Sequence, residues 1–227
     1  MKNLLKKEIS LCLAPVNFLF FAFALMMLIP NYPVYVQFFY ISLSIFFIFK
    51  NADQNRDIEY SIMLPIKKRD VVKARCLLIY SYEIVYLLIT IPFAFLFHRI
   101  VPAGENAEWF GLNAAGIDIN FAAYGFALIA LTLFRFVYVT GFYKTADKAE
   151  RSFLKASVVF WICYILFELP LWIGAGLHLP YVKVLDSAAP ENLLRQLPIL
   201  AAGIAVYIAG MIGTYKISAA RFEKVDL

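Results

Sequence analysis

The chain has 227 residues, 63% of them hydrophobic, with a mean hydropathy of +0.74 and a formal net charge of +5. Soluble domains carry about 45–50% apolar residues, so this composition excludes a water-soluble globular protein and leaves an integral membrane protein. A spanning helix needs ~20 apolar residues, which gives room for about six spans and no sizeable soluble domain.

In chain order, residues 1–11 set Lys2, Lys6 and Lys7 against Leu4, Leu5, Ile9 and Leu11, the pattern of an amphipathic helix lying in the membrane interface. Ala22-Phe23-Ala24 imitates a signal-peptidase site, but the apolar run continues to Ile29 and another follows, so the segment is expected to stay uncleaved. Span 1 is predicted over Pro15–Ile29 and span 2 over Val34–Phe49, with a turn at Asn31-Tyr32-Pro33. Both are short, which predicts burial among other helices or a thinned bilayer.

Residues 51–75, NADQNRDIEYSIMLPIKKRDVVKAR, form the longest polar interruption between two apolar runs. The spacing predicts a short helix over Arg56–Met63, with Ile58 and Ile62 on one side and Asp57 and Glu59 near its positive end. Leu64-Pro65 ends it, because the proline ring disfavours helix in the preceding residue. Lys67, Lys68 and Arg69 follow, and a second helical pattern runs straight into span 3. Such a loop is either a docking element held under the membrane or a solvated segment that only fixes topology.

Span 3 is predicted over Cys76–Phe97 and span 4 over Phe121–Phe142, separated by a segment carrying Glu105, Glu108 and Trp109. Residues 143–155 make a second basic loop, span 5 covers Ala156–Gly174 and span 6 Leu197–Tyr215. The N-terminus, the two basic loops and the tail hold seventeen basic residues, the opposite side only Arg99, Lys183 and Arg195. That asymmetry predicts both termini in the cytoplasm, facing anionic headgroups, and leaves no role for nucleic acid.

Catalytic signatures are missing. The chain has no G-x-x-x-x-G-K-[ST] loop, no H-E-x-x-H and no G-x-S-x-G elbow. His98 and His178 fall near span ends without partners at ligand spacing, and Cys12, Cys76 and Cys163 sit in or beside apolar runs as packing residues. No metal or cofactor is expected.

Three ionisable residues fall inside spans: Glu83, Arg135 and Glu168. Such groups are costly in lipid and face a cavity or a partner. Glu83 and Arg135 come to similar depth, roughly 10–12 Å from the basic end, which predicts a pair. That pair either floors a translocation path or fixes helix packing. Glu168 has no evident partner in the sequence and is the candidate for a cavity-facing acid. In span 6, Ala201, Ala205, Ala209 and Gly213 recur every fourth residue, a face that suits close packing within the chain or against a second protomer. Spans 1 to 3 are crowded with aromatics, including Phe39, Phe46 and Phe49, a surface that suits amphipathic cargo or plain packing.

The reading is an all-α polytopic membrane protein, a single transmembrane domain over 1–227, with about six spans and no energy source of its own. Residues Asp57 to Arg75, DIEYSIMLPIKKRDVVKAR, resemble the acidic-apolar, Leu-Pro, basic signature between spans 2 and 3 of short ABC-2 type transporter permeases. The resemblance is most similar to permeases that export phenol-soluble modulins, amphipathic helical peptides. It implies a bacterial cell-membrane half-transporter that pairs with a second permease protomer and binds an ABC ATPase, which alone carries ATP and magnesium. It further implies that Ile58, Glu59, Tyr60, Ile62, Leu64, Pro65, Lys67, Lys68 and Arg69 form the coupling element seated on that ATPase. The competing reading is a membrane accessory or immunity protein that binds a peptide without moving it.

Overall fold

The computed structural model describes residues 2–30, 32–100, 108–109, 112–113, 116–145 and 149–225, without the side chains of Ile62, Glu108, Trp109, Leu112, Asn113 and Thr145. Glu105 and Asp147 lie outside that set. Helix α1 (Lys2–Cys12) lies across one end of the bundle, and α2 (Pro15–Ala22) continues into a 3₁₀ segment, Phe23–Leu28. Helix α1 and the Pro15–Leu28 segment are bent by 82° at the break between them. The bend follows from local chemistry. Pro15 opens α2 after an extended Ala14, and the Asn17 side chain accepts the Ala14 N–H at 3.0 Å. Span 1 is therefore about 24 Å long, short as expected for a ~30 Å hydrocarbon layer.

Helix α3 (Val34–Gln54) runs past the predicted end at Phe49. Its 21 residues reach about 31 Å, so span 2 is not short. Arg56 then takes a left-handed conformation (φ 48°) that turns the chain into α4 (Asp57–Met63). Leu64 is extended before Pro65, and α5 (Lys68–Ile100) follows as one helix with Pro92 inside it. A two-residue antiparallel ladder pairs Glu108–Trp109 with Leu112–Asn113. Helices α6 (Phe121–Thr145), α7 (Ala149–Gly176), the short α8 (Pro180–Leu185) and α9 (Pro190–Glu223) complete the chain. Among the described residues, five helices are long and apolar enough to cross a membrane, or six if the bent pair is one span. The protein is an all-α polytopic membrane protein.

Helix α3 is central because its aromatic side chains turn inward. Phe39 packs on Phe160 (5.3 Å between centroids), Phe46 on Phe153 (4.6 Å) and Phe49 on Phe142 (4.6 Å), joining α3 to α6 and α7. These rings belong to the core, so they are no argument for a cargo surface. All three cysteines are buried and free.

Helices α6 and α9 approach most closely through glycine. A Cβ on Gly203 would fall 2.5 Å from the Gly125 carbonyl oxygen, and one on Gly210 would fall 2.1 Å from Thr132. Of the small-residue ladder, Ala201, Ala205 and Ala209 are exposed, while Gly213 is half-buried and faces Phe136 of α6. Packing within the chain thus uses a different face from the one the four-residue spacing singled out.

Candidate functional site

The end of the bundle that gathers α1, α4, the start of α5 and the end of α9 carries most of the charge, and its organising residue is Arg75. This side chain is 1% exposed and reaches two carboxylates on two other helices. Its Nε donates to Glu8 on α1, and Nη2 donates to Asp57 on α4 at 2.5 Å. Lys7 closes the cluster, with Nζ 2.7 Å from Glu8 Oε1 and 2.6 Å from Asp57 Oδ1, and it donates to Ser61 at 2.6 Å. Helices α1, α4 and α5 are therefore tied by buried, charge-assisted contacts.

Burial would raise the Glu8 carboxyl, but the Arg75 and Lys7 charges outweigh it and hold this group below its ordinary 4.5. The Glu8 carboxyl consequently stays ionised, which its pairing requires. Glu8, Cys12 and Asp57 place potential ligand atoms within 4.8 Å of one another. A metal fits this set poorly. Lys7 and Arg75 already neutralise both acids, and burial pushes the Cys12 thiol up to about 12, keeping it protonated and hydrogen-bonded to Glu8.

The predicted coupling residues divide on this scaffold. Ile58 is half-buried against the chain's own core, so it belongs to the fold as well as to any docking edge. Among the described side chains of α4, the exposed apolar ones are Tyr60 (51%) and Met63 (84%), one turn apart. Glu59 and Pro65 are exposed and Leu64 is half-buried. Of the basic triplet, Lys67 is exposed, while the other two tie to the end of α9. Lys68 donates to the Val225 carbonyl at 2.6 Å, and Arg69 lies 2.5 Å from Glu223.

Inside the bundle, Arg135 on α6 and Glu83 on α5 meet with neither side chain exposed. Tyr207 on α9 completes the group, donating its hydroxyl to Glu83 at 2.8 Å and stacking its ring 4.5 Å from the Arg135 guanidinium. Three spans are clamped at one level by this arrangement. Glu168 has a partner after all: it is buried, and its Oε1 accepts the Ile117 N–H at 3.2 Å. Gly116 lies against the same carboxylate with φ +108°, where a Cβ would come within 2.9 Å of it. Glu168 thus holds the chain leading into α6.

Neither Arg75 nor Asn17 stood out in the sequence. Arg75 reads as one more basic residue of the loop, and Glu8 as one acid on a basic helix. Asn17 could have been found from its place, since an amide inside an apolar run must be satisfied. It donates to the Ser44 carbonyl at 3.0 Å and accepts from Asn51 at 3.1 Å, stitching span 1 to α3.

A family model described as "ABC-2 family transporter protein" matches residues 3–218. No curated protein and no solved structure matches the chain. The match takes in the charge cluster, α4 and all the spans. Transporters of this family combine a membrane permease, which is not itself catalytic, with an ABC ATPase in a dimeric assembly. A bundle with five or six apolar helices among the described residues is the membrane part of such a machine, and the chain belongs to the ABC-2 family of transporter proteins.

Proposed function

We propose that this permease exports amphipathic peptides or other hydrophobic cargo from a bacterial cell, with α4 as the coupling helix seated on the ATPase. The observation that carries the reading is the exposure of Tyr60 and Met63 on a helix whose opposite side is fixed by Asp57 to Arg75. A small apolar anchor on a rigid mount is what a docking contact needs, because a few central side chains dominate interface energetics.

The mechanical consequence follows from the geometry. Force applied to α4 by ATP-driven closure passes through Arg75 into α5 and through Glu8 into α1, rather than being absorbed by a loose loop. From α5 it reaches α6 and α9 through Glu83, Arg135 and Tyr207. In this reading the Glu83–Arg135 pair is a clamp between moving helices, not the floor of a path, since neither group is exposed. Lys67, facing out beside the anchor, lies at the rim with the lipid headgroups.

The seventeen-to-three distribution of basic residues supports both termini in the cytoplasm. Two copies, or this chain and a related one, pair to make the full path. Purification from the native membrane with mass spectrometry of the retained proteins, followed by peptide uptake into inverted vesicles, tests the proposal. It expects a co-purifying ATPase and ATP-dependent uptake. A permease that retains a peptide but no ATPase, and shows no uptake, is instead the accessory or immunity protein.

A further inference from the structure

Between α5, α6 and α9, in the half of the bundle opposite the charge cluster, lies a cavity of about 570 Å³. Its wall is almost wholly aliphatic and aromatic: Ile84, Leu88, Ile91 and Phe95 from α5, with Leu200 and Ile204 from α9. Several of these, including Leu88, Phe95 and Ile204, are exposed at its edge, so the cavity opens sideways between two spans. At its deep end stands Tyr207, whose hydroxyl is already held by Glu83. His98 and Asn120 lie at the other end.

We propose that this cleft binds one acyl chain of an anionic phospholipid, entering laterally from the bilayer. Its dimensions decide the occupant. From Ile84 to Phe95 the helix rises about 16 Å, close to one leaflet's share of a hydrocarbon layer of ~30 Å. A lateral groove of that length with an aliphatic and aromatic wall suits a single polymethylene chain, whose burial there removes apolar surface from competing contacts. The rim supplies the charge: the Arg99 guanidinium sits 5.3 Å from the centre of the Phe95 ring, at the mouth where a headgroup would lie. Because the cleft needs only membrane-spanning helices and an aliphatic ligand, the proposal stands independently of the transport reading.

The test uses the full chain in liposomes of phosphatidylglycerol carrying a mid-chain diazirine, with adducts mapped by mass spectrometry. Phosphatidylcholine with the same probe is the second arm. Labelling at the cleft is expected to exceed that at the lipid-facing side of α7 (Ile162, Ile165) by about tenfold, the mark of a site over passing contact. It should fall several-fold with phosphatidylcholine or with Arg99→Gln. Ala94→Trp and Ile204→Trp, which fill the cleft from opposite walls, should each remove the excess while α7 labelling stays constant and reports an intact fold. Three results overturn the proposal. One is cleft labelling no stronger than at α7, or unchanged in both tryptophan variants. Another is equal labelling by the two lipids. The third is an efficient disulfide between two copies carrying Leu88→Cys, which would place a second protomer on the cleft.

Discussion

Arg75 and Asp57, eighteen residues apart in the chain, meet at 2.5 Å and join the short helix α4 to the long span α5. The contact is buried, so its energetics are those of an ion pair out of water. Desolvation opposes it, and removing one partner leaves the other charge stranded.

Arg75→Ala is therefore expected to destabilise the detergent-solubilised protein by about 3–5 kcal/mol, as it strands both Glu8 and Asp57. Arg75→Lys should recover only part of the loss, because an ammonium cannot make the two-pronged contact. Thermal unfolding of the two variants checks this. Equal stability of Arg75→Ala and the parent would mean that α4 is not fixed by this residue.

The same cluster predicts a pH response. Glu8 titrates below its ordinary 4.5 in the folded protein, so its contribution is full above that value and is lost as the pH falls through the lower folded value. The stability of the parent should drop on acidification below about pH 4.5, and Glu8→Gln should show less of that drop. Melting temperatures from pH 3 to 7 measure it; identical profiles would contradict the assignment.

In the membrane clamp, Arg135→Ala alone should cost more stability than Glu83→Ala combined with Arg135→Ala, since the single change leaves a buried carboxylate unpaired. A double-mutant cycle reads the coupling, and additive losses would show that the two side chains act separately.

Glycine and alanine on α9 should behave differently. Gly203→Ala forces α9 away from Gly125 and is expected to cost about 1–3 kcal/mol. Ala205→Leu, on the exposed side, should stay within about 0.5 kcal/mol for the isolated chain. Size-exclusion chromatography of the second variant then tells whether the exposed ladder serves a dimer.

How much of this was legible in the sequence depended on whether the signal was local. Span positions were, because an apolar run long enough to cross a bilayer has few alternatives. The end of α4 was readable from Leu64-Pro65, since the ring acts on its immediate neighbour. Glu83 and Arg135 could be matched because depth in two antiparallel spans is simple geometry. Arg75 could not be singled out among the loop's basic residues, because its partners come from α1 and α4 and only folding brings them together. Glu168 misled for the same reason: its partner is a backbone N–H, at Ile117, which no side-chain pattern announces. The ladder at Ala201 had the right spacing, but spacing alone does not say which face meets α6.

Topology is tested by thiol labelling. All natural cysteines are buried, so single cysteines at Gln54 and Glu191 report cleanly. An impermeant maleimide added to intact cells should label Glu191→Cys and spare Gln54→Cys. The reverse pattern would invert the orientation and with it the direction of coupling.

The central claim is that the ATPase grips α4 through Tyr60 and Met63. The direct measurement is ATPase retained on immobilised permease carrying Tyr60→Ala and Met63→Ala, with cargo-stimulated hydrolysis followed in liposomes. Loss of these two anchors should release the ATPase or abolish the stimulation, while the melting temperature stays at the parent value because both side chains point away from the fold. Lys67→Ala should do far less, as an exposed charge is screened at physiological salt. Full retention and full stimulation in the double variant would contradict the account and leave α4 a topological anchor.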